Sequence, residues 1–173
     1  AQTEAVIAKL KSIRAGLLHD LLTRGLDANG QLRPPPDQAP HLYKDSPMGN
    51  IPREWGHCIL GDTAEIVVGP AFQSSGFTGT QSGVRLLRGV NVTQGRLRWE
   101  EDITARWPSV TPDLIRYELA GGDVVIGMDG ALVGRNVAAV AESDLPSILV
   151  QRVARIRGLH PRLSSGYAFL LLR

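Results

Sequence analysis

The chain has 173 residues, of which 43% are hydrophobic, 21% charged and 5% aromatic, with a formal net charge of +2. That length suits one domain with a real core plus an attached element, and the composition excludes wholesale disorder. A single cysteine, Cys58, excludes an internal disulfide and any multi-cysteine zinc site, and it fits a reducing cytoplasm. Bulk charge alone does not point to nucleic acid.

In chain order, residues Thr3 to Arg24 predict a helix. Val6, Leu10, Ile13, Leu17 and Leu21 recur at helical spacing, with Ile7, Leu18 and Leu22 widening the stripe. Arg24 and Gly25 form its stop. So regular a stripe at the chain's end calls for a partner helix, in a coiled-coil-like seam, or for docking on its own domain. Residues Asp27 to Pro52 carry no periodicity and hold Pro34-Pro35-Pro36, Pro40, Pro47 and Pro52, so they predict a semi-rigid connector. The expected divisions are a spacer helix over 1–25, a linker over 26–52 and a mainly β domain over 53–173, giving an α+β fold.

From Trp55 onward the texture is β. Ile59 to Val68 and Val84 to Val92 predict strands, with a turn at Gln94-Gly95 and a continuation over Leu97 to Trp99. Thr111-Pro112-Asp113 starts a short helix through Leu119, with Thr111 as N-cap. Asp123 to Ile126 predicts a buried strand, and Asp129-Gly130 a hairpin into Leu132–Ala141. Ile148 to Arg157 predicts one further strand, and Ser165 to Leu172 opens a helix. No apolar run approaches the roughly 20 residues that span a bilayer, and no signal pattern opens the chain.

Catalytic constellations are missing. His19, His41, His57 and His160 are scattered, and no HExxH, GxSxG or GxxxxGK[ST] motif occurs. Glu100, Glu101 and Asp102 are adjacent and read as a solvated turn. A hydrolase built on Asp123, Asp129 and His160 is the weakest alternative. The sequence therefore predicts no catalytic residues, no metal and no cofactor.

The order of motifs carries a resemblance. Leu17-Leu18-His19-Asp20-Leu21-Leu22-Thr23-Arg24-Gly25 is followed by Gly30-Gln31-Leu32-Arg33. Tyr43-Lys44-Asp45-Ser46-Pro47-Met48-Gly49-Asn50-Ile51-Pro52-Arg53-Glu54-Trp55 comes next. Further on stand Leu86-Leu87-Arg88-Gly89-Val90-Asn91-Val92, Gly122-Asp123-Val124-Val125-Ile126, Gly130-Ala131-Leu132-Val133-Gly134 and Gln151-Arg152-Val153. This series resembles the specificity (S) subunits of Type I restriction–modification systems, from the end of a conserved spacer helix into a target-recognition domain. The resemblance implies a cytoplasmic, non-catalytic DNA-recognition subunit or fragment that reads one half of a split target. It implies double-stranded DNA, the methyltransferase subunit, the restriction subunit through the complex, and a second S subunit or half-subunit as partners. S-adenosylmethionine, ATP and Mg would belong to partner subunits. An adaptor or decoy fragment that binds the methyltransferase without base readout is the alternative. No first recognition domain is present, and the chain stops at Arg173 in an apolar run, so truncation is expected.

Three segments suit a DNA surface, where hydrogen-bonding side chains must stand together on turns that let the backbone approach. The first is the polar loop Gln73, Ser74, Ser75 and Phe77, or else a plain flexible loop. The second is Arg85, Arg88 and Asn91, unless Arg85 pairs with a carboxylate and Asn91 caps the turn. The third is the hairpin Met128-Asp129-Gly130 with Arg135 and Asn136, facing Gln151 and Arg152. Strand alternation keeps Gln151 and Arg152 from both pointing at DNA unless they sit at a strand end. Gln151 and Arg135 are favoured for bases, with Arg155 and Arg157 as phosphate clamps. Trp55, Trp99 and Trp107 are expected to pack. After Arg53 every basic residue is an arginine, a supportive bias because the guanidinium fork suits guanine and phosphate. The partner-binding expectation falls on Val6, Leu10, Ile13, Leu17 and Leu21.

Overall fold

The computed structural model describes residues 2–78 and 82–173. It divides into two compact units between Cys58 and Ile59.

The first unit opens with α1 (Gln2–Thr23), within a residue of the span that the stripe predicts. Gly25 follows in the left-handed region at φ +62°, where the helix stops. A Cβ there would lie 2.5 Å from the Trp55 ring, so glycine is also needed for that contact. α1 contains no buried residue. Val6, Leu10, Ile13 and Leu17 are 52–60% exposed, and Leu21 is half-buried.

The proline-rich segment after α1 is held by side chains rather than by long elements. Arg24 Nε donates to the Arg33 carbonyl at 2.7 Å, and Arg33 Nη1 donates back to the Arg24 carbonyl at 3.1 Å. Arg33 is buried and ion-paired with Glu54. Strands β1 (Tyr43–Lys44) and β2 (Ile51–Pro52) pair antiparallel, and the Tyr43 hydroxyl donates to the Pro34 carbonyl at 2.7 Å. Two-residue strands leave no periodicity to read, which is why the sequence resembles a bare connector.

The second unit runs through α2 (Leu60–Thr63), β3 (Ala64–Val68), β4 (Val84–Leu87), β5 (Ala105–Trp107) and β6 (Val124–Gly127). It continues through β7 (Val137–Ala139), β8 (Ser147–Leu149), β9 (Val153–Gly158) and α3 (Ser165–Leu172). One sheet has the order β3-β9-β6-β7 and is antiparallel throughout. The other has the order β5-β4-β8, with β4 and β8 parallel. The architecture is α+β.

Residues of both sheets meet in one core: Val67, Val125 and Val153 from the first pack with Leu87 and Leu149 from the second. On its other face the first sheet packs Val124, Val137 and Ile156 against Phe169 and Leu172 of α3. β9 is therefore central and covered on both sides, so its burial does not alternate.

Several expectations are corrected. The run 148–157 is two strands, broken at Gln151-Arg152. Residues 60–63 are a helical turn before β3, and Leu97 makes only an isolated bridge to Val92. The stretch 111–119 is a turn and a 3-10 helix at Ile115–Tyr117. It goes no further because Leu119 N–H bonds to the Ser147 carbonyl at 3.0 Å, drawing the chain out alongside β8. β5 is not legible in the sequence: three half-buried residues at a sheet edge carry little pattern.

Candidate nucleic-acid interface

The strand registers bring separate connections to one end of the second unit. β3 ends at Val68 opposite Ala154, and β6 ends at Gly127 opposite Val153. β4 and β8 end side by side at Leu87 and Leu149. The loops after β3, β4 and β6 and the turn between β8 and β9 thus emerge together. Their backbones are tied to one another. Gln151 N–H donates to the Pro70 carbonyl at 2.9 Å, Met128 N–H to the Arg152 carbonyl at 2.8 Å, and Gly95 N–H to the Val137 carbonyl at 2.8 Å.

This end carries several of the predicted residues. Met128, Asp129, Arg135 and Gln151 are exposed. Gln73, Ser74 and Ser75 are exposed on a 3-10 turn that lies beside Trp107, which pairs with the start of β4, and so stand apart from this end. Phe77 is half-buried against the cluster of Leu86, Ile148 and Val150 and anchors its loop.

Other predicted residues turn inward. Asn91 is fully buried: its Oδ1 accepts Arg88 N–H at 3.0 Å and its Nδ2 donates to the Arg98 carbonyl at 2.9 Å. It holds the turn and has no atom left for adenine, which corrects the DNA-contact expectation. Arg85 donates to the Ser143 and Leu145 carbonyls at 2.8 and 2.9 Å and lies 4.7 Å over the Trp99 ring. Burial, then the charge of Arg106, pulls its guanidinium below its ordinary pKa. Arg88 is half-buried and reaches the Ile103 carbonyl at 3.4 Å.

The two expected phosphate clamps are also corrected. Arg155 is 1% exposed, pairs with Glu65 at 2.8 Å and donates to the Glu118 carbonyl at 2.9 Å. Both faces of β9 are covered, so alternation does not bring this side chain to solvent. Arg157 holds the buried Asp123 from both Nε and Nη2, and that hydrogen bond raises its pKa. Asp123 precedes β6 and Asp129 follows it, so they lie at opposite ends of that strand. The carboxylates of the hydrolase alternative are thereby kept apart. Among the described residues no cluster of three or more His, Cys, Asp or Glu could hold a metal, and no helix is long and apolar enough to cross a membrane.

The sequence reading missed other residues at this end. Gln94, Arg96 and Arg98 line an open groove of about 650 Å³ with Val90, Leu132 and Asn136. Gln94-Gly95 read only as a turn, and a cation next to a turn glycine is the signal that could have found Arg96. Arg98 is tied to Glu100 at 2.9 Å, which holds the Glu100 carboxyl below its usual range. Arg152, expected beside Gln151 within the strand over 148–157, occupies a turn between β8 and β9.

No family model matches the chain. It is 30% identical over 136 residues, 78% of its length, to the Type I restriction enzyme EcoAI specificity subunit of Escherichia coli. It is 26% identical over 96% of its length to the MjaVIII specificity subunit of Methanocaldococcus jannaschii. The chain is a relative of Type I restriction specificity subunits. It spans 23% and 36% of those two relatives' lengths. The HsdS subunit from Thermoanaerobacter tengcongensis shares its fold, at a TM-score of 0.54 and 20% identity, over 99% of this chain and 38% of that one. A chain from a structure of type I R-M complex assembly and conformational transition matches at a TM-score of 0.57 and 18% identity, over 99% of this chain and 38% of that one. Identities this low bear on the fold alone.

Proposed function

We propose that this chain is a sequence-specific DNA-recognition element of a Type I restriction–modification complex, reading one half of a split target. The observation that carries the reading is the convergence at one end of Gln94, Arg96, Arg135 and Gln151 from three separate connections, all exposed. Backbone ties between those loops hold the polar groups in fixed positions, as base readout requires. Relatives named as specificity subunits support the same reading.

The chain performs no chemistry of its own in this reading. Methyl transfer and cleavage, with S-adenosylmethionine, ATP and Mg, belong to partner subunits in the cytoplasm. The exposed stripe Val6, Leu10, Ile13 and Leu17, continued by Leu21, docks the methyltransferase subunit or a spacer helix. The proline-rich segment belongs with the spacer helix, and the unit from Ile59 is the recognition domain.

The test is enrichment of the full chain on a pool of randomised duplexes, with non-specific competitor and a salt series. A recurring motif is expected. Arg135→Ala and Gln151→Ala should each relax one position by about 1–3 kcal/mol. If α1 captures a methyltransferase subunit but no motif emerges, the chain is an adaptor and the DNA reading fails.

A further inference from the structure

The connection between β8 and β9 is a single turn, Val150-Gln151-Arg152-Val153, closed by Val153 N–H on the Val150 carbonyl at 3.2 Å. Arg152 occupies its third position at φ +65°. It is the one non-glycine residue in the left-handed region among those described. A β-carbon is disfavoured in that conformation, and turns that need it ordinarily carry glycine or asparagine. Glycine would serve the backbone better, so the arginine side chain persists for another reason. Strain of this kind gathers at functional sites.

The surroundings show what the side chain gains. Loops on both sides tether the turn. Gln151 N–H is bound to the Pro70 carbonyl, and the Arg152 carbonyl accepts Met128 N–H. The side chain itself is 70% exposed. One arm of its guanidinium is held by the Asp129 carboxylate, Nη1 to Oδ2 at 3.3 Å. A carboxylate on one arm restrains the fork and leaves its other donors at the exposed tip of the turn. Such a fork suits a guanine edge as well as a phosphate, and its place at a turn tip beside Gln151 favours the base. Gln151 precedes it at the tip, so a pair of neighbouring residues points outward from one turn.

We propose that Arg152, oriented by Asp129, is a base-reading residue that sets a guanine in the recognised sequence. The inference deepens the DNA-recognition reading and rests on it.

The experiment compares the full wild-type chain with Arg152→Gly and Arg152→Lys on the randomised duplex pool, with thermal unfolding of each. Arg152→Gly should unfold at no lower temperature than wild type, because it relieves the turn. It should also lose guanine preference at one position by between about five- and 150-fold. Arg152→Lys keeps the charge and should lose the same preference with an unchanged salt slope. Retained preference in both variants would show a surface ion pair and overturn the inference alone. Preference retained in Arg152→Lys, with only a shallower salt slope in Arg152→Gly, would show a phosphate contact and overturn it too. A wild-type chain that enriches no motif overturns the DNA-recognition reading, and this inference with it.

Discussion

Arg157 grips Asp123 with both sides of its guanidinium, Nε to Oδ1 and Nη2 to Oδ2, each at 2.7 Å. The carboxylate is 2% exposed, and its Oδ2 also accepts Ala120 N–H at 2.8 Å. The pair clamps the loop before β6 to β9 at the end away from the converging turns. Arg157→Ala leaves a buried charge with one remaining partner and should cost about 2–4 kcal/mol. Asp123→Asn should cost less, because the freed guanidinium can reach water. Urea unfolding with an unchanged m-value measures both.

Arg155 separates a structural arginine from a DNA-contacting one. Its guanidinium bridges Glu65 and the carbonyls of Arg116 and Glu118 from inside the protein. Arg155→Ala should lower stability by about 2–4 kcal/mol through lost bonds and a cavity. In any folded fraction, the slope of DNA affinity against salt should match wild type. A shallower slope with wild-type stability would instead make it a phosphate contact.

Glu100 and Arg98 form an exposed pair beside the groove lined by Arg96. The hydrogen bond from Arg98 lowers the Glu100 pKa. Their mutual stabilisation is therefore present at neutral pH and is lost as pH falls through the lowered value. NMR titration should find the Glu100 carboxyl below its ordinary range, and Arg98→Ala should move it up. With the DNA reading, Glu100→Gln frees a cation at the groove and should steepen the salt slope by about one.

The amino-acid pattern alone was enough for α1, because its stripe recurs at helical spacing from Val6 to Leu21 within a helix of 22 residues. It also determined β6, whereas the returning strand is Val137–Ala139 after a longer loop and not 132–141. The polar turn that carries the exposed Arg135 was legible because turn chemistry is local, whereas the turn at Gln151 was not. The choice among arginines was not. Arg155, Arg157 and Arg152 stand within six residues of one another in chemically similar runs. Yet one lies inside the protein, one clamps a buried aspartate and one stands at a turn tip. Only the segment 116–118 and Glu65, brought over that face of β9 by the fold, buried Arg155. Only the parallel pairing of β8 with β4 broke the apolar run at Gln151-Arg152. Burial of a central strand depends on what covers its two faces, and those partners come from distant parts of the chain.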